Sequence, residues 1–216
     1  MTATPRTRPA KPPLSRDSIV AAALELVDQL GSDAVTMRRV ADAVDTAPAS
    51  LYVYVSDRQE LMALAHDLAV ADVDLPTSAD GDWRARLELL VLRATDALAA
   101  HRDLATVGRA QLTTGPSSLR IVEEILRLLR DGGLADEACA WAIDLFGQHI
   151  ASSALEASAP AGLDDFHSTL SGEDYPTIRA LGPLLTSGDA ASRAAWKLRV
   201  LVDGVLAQAK VTPRSR

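Results

Sequence analysis

Residues 15–61 read SRDSIVAAALELVDQLGSDAVTMRRVADAVDTAPASLYVYVSDRQEL, and this stretch decides the fold. Ser15 stands where an N-cap is needed, and Asp17 follows in the first turn, where a negative charge suits the helix dipole. Ile19, Ala22, Ala23, Leu26, Val27 and Leu30 recur at helical spacing and predict one buried face. Gly31 supplies the stop. Thr36 can cap a second helix that carries Val40, Ala41 and Val44 inward. Asp45 falls at the tight turn that follows, and Asp tolerates the left-handed conformation better than most residues. Ala47 and Pro48 open a third helix, with Pro in the first turn, where its missing N–H costs nothing. Leu51 and Val55 then point to the core, and Ser50, Tyr52 and Tyr54 are left facing outward.

Three short helices in this order predict a helix-turn-helix, which lays its last helix in a DNA major groove. Tyrosine hydroxyls reach phosphate oxygens, and their rings pack on sugar or on a thymine methyl. The competing reading is that Tyr52 and Tyr54 complete a small core. Arg38 and Arg39 either contact DNA or belong to a solvated helix face. The expected DNA-contacting set is Thr36, Arg38, Arg39, Pro48, Ala49, Ser50, Tyr52, Tyr54 and Arg58.

The whole chain carries a net charge of −7, which argues against a polyanionic partner until its distribution is considered. Residues 1–14 are Pro-rich and contain Arg6, Arg8 and Lys11, Arg16 follows, and no acid occurs before Asp17. This tail is expected to be disordered when free. It either lies along phosphates or in a minor groove, or serves as a solubilising leader. It lacks the apolar region of a signal peptide, and no run of about 18 apolar residues occurs, so a cytoplasmic protein without a membrane span is expected. Of the 216 residues, 48% are hydrophobic and only 4% aromatic, which suits an Ala/Leu/Val-rich helical protein. The single Cys139 excludes an intramolecular disulfide.

Beyond residue 61 the pattern stays helical. A connecting helix is predicted over 58–72, then a Pro/Ser/Asp/Gly break. Long or medium helices are predicted over 83–101, 117–130, 134–156 and 189–210, with shorter ones over 101–112 and 175–185. The segment 157–172 reads as a loop. Ala151, Ser152 and Ala154 on one long helix, and Leu198, Leu201, Val202, Val205 and Leu206 on another, are more apolar surface than one domain face needs. The fold expected is all-α: a basic tail at 1–14, a three-helix DNA-binding domain at 15–61 and a second helical domain at 62–210.

The segments Val35-Thr36-Met37-Arg38-Arg39-Val40-Ala41, Ser50-Leu51-Tyr52-Val53-Tyr54-Val55 and Asp57-Arg58-Gln59-Glu60-Leu61 resemble the DNA-binding domain of the TetR family of bacterial transcriptional regulators. Trp83, His101-Arg102-Asp103, Val107, Gly115-Pro116, the helix end at Leu128–Gly133 and Leu155-Glu156 resemble its tetracycline-repressor branch. The resemblance implies a repressor that leaves its double-stranded DNA operator when a small effector binds. It also implies that the domain at 62–210 binds the effector and dimerises, with a homodimer built on the 134–156 and 189–210 helices. In that branch the ligand is a drug chelated to a divalent metal. Here the metal-binding histidine of the branch falls on Gly108, and the drug's polar contacts fall on Leu90, Ala94 and Ile125. The effector is therefore expected to be a mostly apolar organic molecule that needs no metal or other cofactor. Its expected lining is Leu90, Ala94, Gly108, Ile125, Ala140, Ile143 and Gly147, with ordinary core as the alternative at each position.

No catalytic motif stands beside these. His101-Arg102-Asp103 matches a kinase tripeptide without a glycine-rich loop or a DFG. Glu123 and Glu124 are neighbours on a helix and diverge by about 100°. His149 and Glu156 lie two turns apart on one face, a weak metal pair. Trp141 is expected in a core or pocket wall. An enzyme is not expected. An effector-independent DNA-binding regulator, and more remotely a helical enzyme, remain the alternatives.

Overall fold

A computed structural model describes residues 13–101, 103–105, 107, 115–158, 175–185 and 187–209. Among these residues every regular element is helical. The helices are α1 (Arg16–Leu30), α2 (Met37–Ala43), α3 (Pro48–Leu51), α4 (Arg58–Ala69), α5 (Trp83–Ala99), α6 (Pro116–Asp131), α7 (Asp136–Ser158), α8 (Pro176–Leu185) and α9 (Ala190–Ala209).

The local signals of the first segment form as their chemistry requires. Ser15 and Ser18 make a reciprocal capping box: the Ser18 N–H donates to Ser15 Oγ at 3.1 Å and the Ser15 N–H to Ser18 Oγ at 3.0 Å. Gly31 takes φ 84° and returns its N–H to Val27 O. Thr36 caps α2 by accepting the Arg39 N–H, and Asp45 turns the chain at φ 53°. The buried face of α1 differs from the expected one. Val20 is buried with Ile19, Ala23 and Val27, whereas Leu30 is 47% exposed. The helix is apolar over more than half its circumference, and packing against α4 selects the face.

Two hydrophobic cores result. The first joins Ile19, Ala23, Val27, Val35, Val40, Ala41, Leu51, Val55, Leu61 and Met62. The second gathers Leu87, Leu90, Val91, Ile125, Leu128, Leu129 and Phe146 from α5, α6 and α7, with Leu198 and Val202 of α9 added. The two cores share their boundary. Ala69 of α4 packs against both. Just after α5, Leu104 is fully buried in the first core while its neighbour Ala105 belongs to the second. The helix predicted over 101–112 lies mostly outside the described residues.

The surplus apolar face of α7 and α9 is real but composed differently from the expectation. Ala151, Ala154, Leu198 and Val202 are buried in the second core, and Leu201, Val205 and Leu206 pack against it. The residues left outward are Trp141 at 70% exposure, Leu145, Trp196 at 61% and Val200. Trp141 therefore lies on the surface, not in a core or pocket wall.

Candidate DNA interface and effector domain

The reading element is short. α3 ends at Leu51, and hydrogen-bonded turns extend it, with the Tyr54 and Val55 N–H groups both donating to Leu51 O. Leu51 and Val55 are buried in the first core, and α3 packs against α2. Pro48, Ala49, Tyr52 and Val53 are exposed, Tyr52 at 55% and Val53 at 80%, and Ser50 is half-buried. Val53 was not among the expected contacts. An isopropyl group held outward beside a tyrosine suits a thymine methyl, and the sequence signal was its position on the outward side of the helical repeat.

The other expected contacts divide. Arg38 is exposed on α2. Arg39 is also exposed, but its Nη1 donates to Ala34 O at 2.5 Å. Thr36 is occupied as the α2 cap. Arg58 donates from Nε to Val35 O at 2.7 Å and from Nη2 to Ser32 O at 2.6 Å, so its guanidinium braces the connection between α1 and α2. Tyr54 is corrected from an outward to an inward placement. Its ring packs on the first core and its hydroxyl donates to Leu14 O at 3.0 Å. Tyr54 stands three residues after buried Leu51, which on the helical turns made by the Tyr54 and Val55 N–H groups is the same face, whereas placing Ser50, Tyr52 and Tyr54 together outward follows the period of a strand.

α4 connects this unit to the second core and is fastened at both ends. At its start, Asp57 caps it by accepting the Glu60 N–H at 2.8 Å. Glu60 accepts the Ser56 N–H at 2.6 Å and pairs with Arg16 at 2.5 Å. The Ser56 hydrogen bonds, more than Arg16, hold its carboxyl below the ordinary range. At the far end, buried Asp67 accepts the Ser118 N–H at 2.8 Å and the Ser117 N–H at 3.2 Å. These are the orphan amides of the first turn of α6, whose own N-cap, Gly115, has no side chain. Gly115 is required there, because a Cβ would fall 2.1 Å from Asp67 Cγ. In return Arg120 of α6 donates to Ala71 O and Val73 O, at 2.9 and 2.8 Å, just past the end of α4. None of these ties was anticipated. Beside Asp67, His66 is buried with no hydrogen-bond partner for Nδ1, and burial lowers its pKa. A further link runs from the α5 end to α1, where His101 Nδ1 lies 2.9 Å from Asp28 Oδ1.

The expected effector lining does not converge on one surface. Leu90, Ala94 and Ile125 are buried together in the second core. Ala140 and Ile143 line an open groove of about 670 Å³ between α6 and α7, with Leu126, Arg127, Arg130 and Cys139. Gly147 is exposed, and a Cβ added there meets nothing within 4 Å, so it is corrected from cavity wall to surface. α7 is apolar or small on most sides, so its inward face could not be fixed from spacing. Gly108 lies outside the described residues. The described residues contain no group of three or more His, Cys, Asp or Glu placed to hold a metal ion. His149 and Glu156 do not pair: Glu156 instead binds Lys197 of α9, and His149 is pushed down by burial and by that lysine.

Comparison with known proteins agrees with this architecture. Residues 19–65 match the family described as "Bacterial regulatory proteins, tetR family", and residues 75–209 match "Tetracyclin repressor-like, C-terminal domain". The HTH-type transcriptional repressor DrrR1 of Streptomyces coeruleorubidus is 32% identical over 166 residues, covering 74% of this chain and 62% of that protein. An HTH-type transcriptional regulator of Saccharopolyspora erythraea is 31% identical over 57% of this chain and 52% of its own length. The chain thus spans between half and two thirds of these curated relatives. Apo ActR from Streptomyces coelicolor superposes with a TM-score of 0.83 at 35% identity, covering 93% of this chain and 98% of ActR. ActR solved in complex with actinorhodin superposes at 0.80, with 32% identity and coverage of 92% and 98%. On these matches and on the helix-turn-helix that the geometry presents, the chain belongs to the TetR family of bacterial regulatory proteins.

Proposed function

We propose that this protein is a homodimeric repressor that releases its DNA operator when a small, mostly apolar organic effector binds beside Leu90, Ala94 and Ile125. The observation that carries the reading is the reciprocal fastening of α4 to α6. Asp67 holds the first amides of α6 and Arg120 holds the last carbonyls around α4. A shift of α6 against α5 and α7 is thereby passed to α4, whose other end is packed into the helix-turn-helix core at Leu61, Met62 and Ala65. An effector moves this equilibrium only by its difference in affinity between the two arrangements. ActR bound to actinorhodin supports an organic ligand in this architecture.

The division into a DNA-binding part at 15–61 and an effector part at 62–210 belongs to the same reading. The exposed Trp141, Leu145, Trp196 and Val200 support a dimer face on α7 and α9. Between them Leu145, Trp196, Lys197, Val200, Leu201, Gly204 and Val205 line a shallow apolar groove of about 480 Å³. No helix among the described residues is long and apolar enough to cross a membrane, in keeping with a cytoplasmic regulator. The test is a gel shift on the DNA flanking its own gene, titrated with actinorhodin in EDTA and with tetracycline plus magnesium. Release without metal is expected. Magnesium-dependent release by tetracycline overturns the metal-free effector, and failure to shift any flanking fragment overturns the repressor reading.

A further inference from the structure

The helix-turn-helix unit is attached to the second core at two separate places. One is the fastening of α4 to α6 through Asp67 and Arg120. The other lies at the end of α5. Leu98, in the last turn of α5, is buried in the second core. The chain continues from it as a bonded turn: the His101 N–H donates to Leu98 O at 3.1 Å and the Leu104 N–H to His101 O at 3.4 Å. His101, Asp103 and Leu104 then meet the first core and the C-terminal end of α1. His101 Nδ1 donates to Asp28, 2.9 Å from one carboxylate oxygen and 3.2 Å from the other. Asp103 takes a left-handed φ of 57° and brings its carboxylate to Gly31, where a Cβ would stand 3.0 Å from Asp103 Oδ2. Leu104 is fully buried in the first core.

A body held at one joint pivots about it, whereas a body held at two turns only if both move. The contacts at the end of α5 divide that task. Burial of Leu104 is non-directional and fixes how deeply the turn sits. The hydrogen bond from His101 to Asp28 is directional and fixes the angle at which α1 meets α5. Both side chains are partly exposed, so the pair adds little to stability, and its place rather than its strength gives it a role. A regulator that reads two half-sites depends on this angle. Each base pair inserted between half-sites displaces one from the other by about 3.4 Å and about 35°. Helix-turn-helix units held at a fixed angle reject that displacement, and units free to pivot follow it.

We propose that the Asp28–His101 pair is a second joint between α5 and the helix-turn-helix unit, which sets the angle of that unit and so the half-site spacing that the dimer accepts. Asp28 and His101 are positioning residues that act on DNA through α1. The proposal rests on the reading of the protein as a helix-turn-helix dimer. The test uses the full chain and a duplex selected by it from a random library. Affinity is measured for that duplex, for the same duplex with one base pair added or removed between its half-sites, and for a single half-site. The wild type loses about tenfold or more on either change of spacing. D28A and H101A bind the single half-site as the wild type does, and lose only about threefold or less on the altered spacings. D28A/H101A is no more tolerant than either single variant, because both substitutions remove the same contact. Thermal unfolding checks that each variant is folded; D28N and H101Q, closer in size, replace an alanine variant that is not. Wild-type discrimination of spacing in the single variants overturns the proposal. So do a wild type indifferent to spacing, single effects that add in the double variant, and an equal loss of affinity on the single half-site. A wild type that selects no duplex, or one without paired half-sites, instead overturns the helix-turn-helix dimer reading beneath it.

Discussion

Replacing Asp67 by alanine removes both acceptors from the first turn of α6. The carboxylate is 7% exposed and receives the Ser118 and Ser117 amides at 2.8 and 3.2 Å. An ordinary cap is worth about 1 kcal/mol. A hydrogen bond to a charged acceptor contributes about 1.5–3 kcal/mol, and a buried N–H left unsatisfied costs its desolvation. The Ser118 amide is buried and the Ser117 amide half-buried, so water replaces the second contact more readily than the first. Asp67→Ala should therefore cost about 2–4 kcal/mol, and Asp67→Asn, which keeps one oxygen acceptor and loses the charge, about half of that. For a chain of this size the alanine variant should melt roughly 5–15 °C lower. The assay is urea or thermal unfolding followed by circular dichroism at one fixed protein concentration, because any self-association makes the midpoint concentration-dependent. An Asp67→Ala variant that melts with the wild type would refute the claim that this carboxylate caps α6. Full stability with lost effector response would place its role in transmission only.

Gly115→Ala should be destabilised by about 1–3 kcal/mol, because its Cβ would meet a short side chain that has nowhere to retreat; unfolding midpoints check this. Trp196→Glu should dissociate the proposed dimer, raising its dissociation constant at least about thirtyfold for an anchor worth about 2 kcal/mol, while each protomer stays folded; analytical ultracentrifugation reads it, and an unchanged dimer places the interface elsewhere. His66 is held neutral by burial, so the unfolded chain takes a proton at the ordinary histidine pKa of 6.5 while the folded chain does not. Stability should then decline as pH falls below that value, until the depressed folded pKa is reached; His66→Gln flattens the decline in part, since His149 is lowered too. Glu60 works in the carboxylate range: its contribution is fully present above its ordinary 4.5 and is lost as pH falls through the lower folded value, and Glu60→Gln removes that dependence.

The caps, the left-handed turn and the helix order were readable because each depends on residues a few positions apart. Ser15, Gly31, Thr36 and Asp45 act within their own turn, and their chemistry leaves one solution. The fastening of α4 was not readable. Asp67, Arg120 and Arg58 all bond to backbone amides or carbonyls, which every residue possesses, so no partner residue type marks the site. The facing of α7 was not readable for a different reason. A core face and a dimer face are both apolar, and Trp141, Ala140 and Gly147 sit on a helix where apolarity distinguishes neither. Tyr54 was legible and misread: three residues after Leu51 it shares the buried helical face, and its outward placement applied a two-residue alternation to helical turns.

Leu104 sits far along the chain yet is sealed at 0% exposure among Ile19, Leu51 and Leu61. The cut that separates these two cores in space is therefore not a cut in the sequence. A hybrid regulator made by joining the first 61 residues to another effector domain would carry a hole where this leucine belongs, costing about 2–5 kcal/mol if nothing refills it. Grafting a new specificity onto this protein requires either transplanting the 101–107 segment along with its amino-terminal third, or choosing a donor whose equivalent segment offers a leucine-sized plug. Interchangeable parts in such a scaffold are defined by shared packing, and the shuffling junction has to follow it.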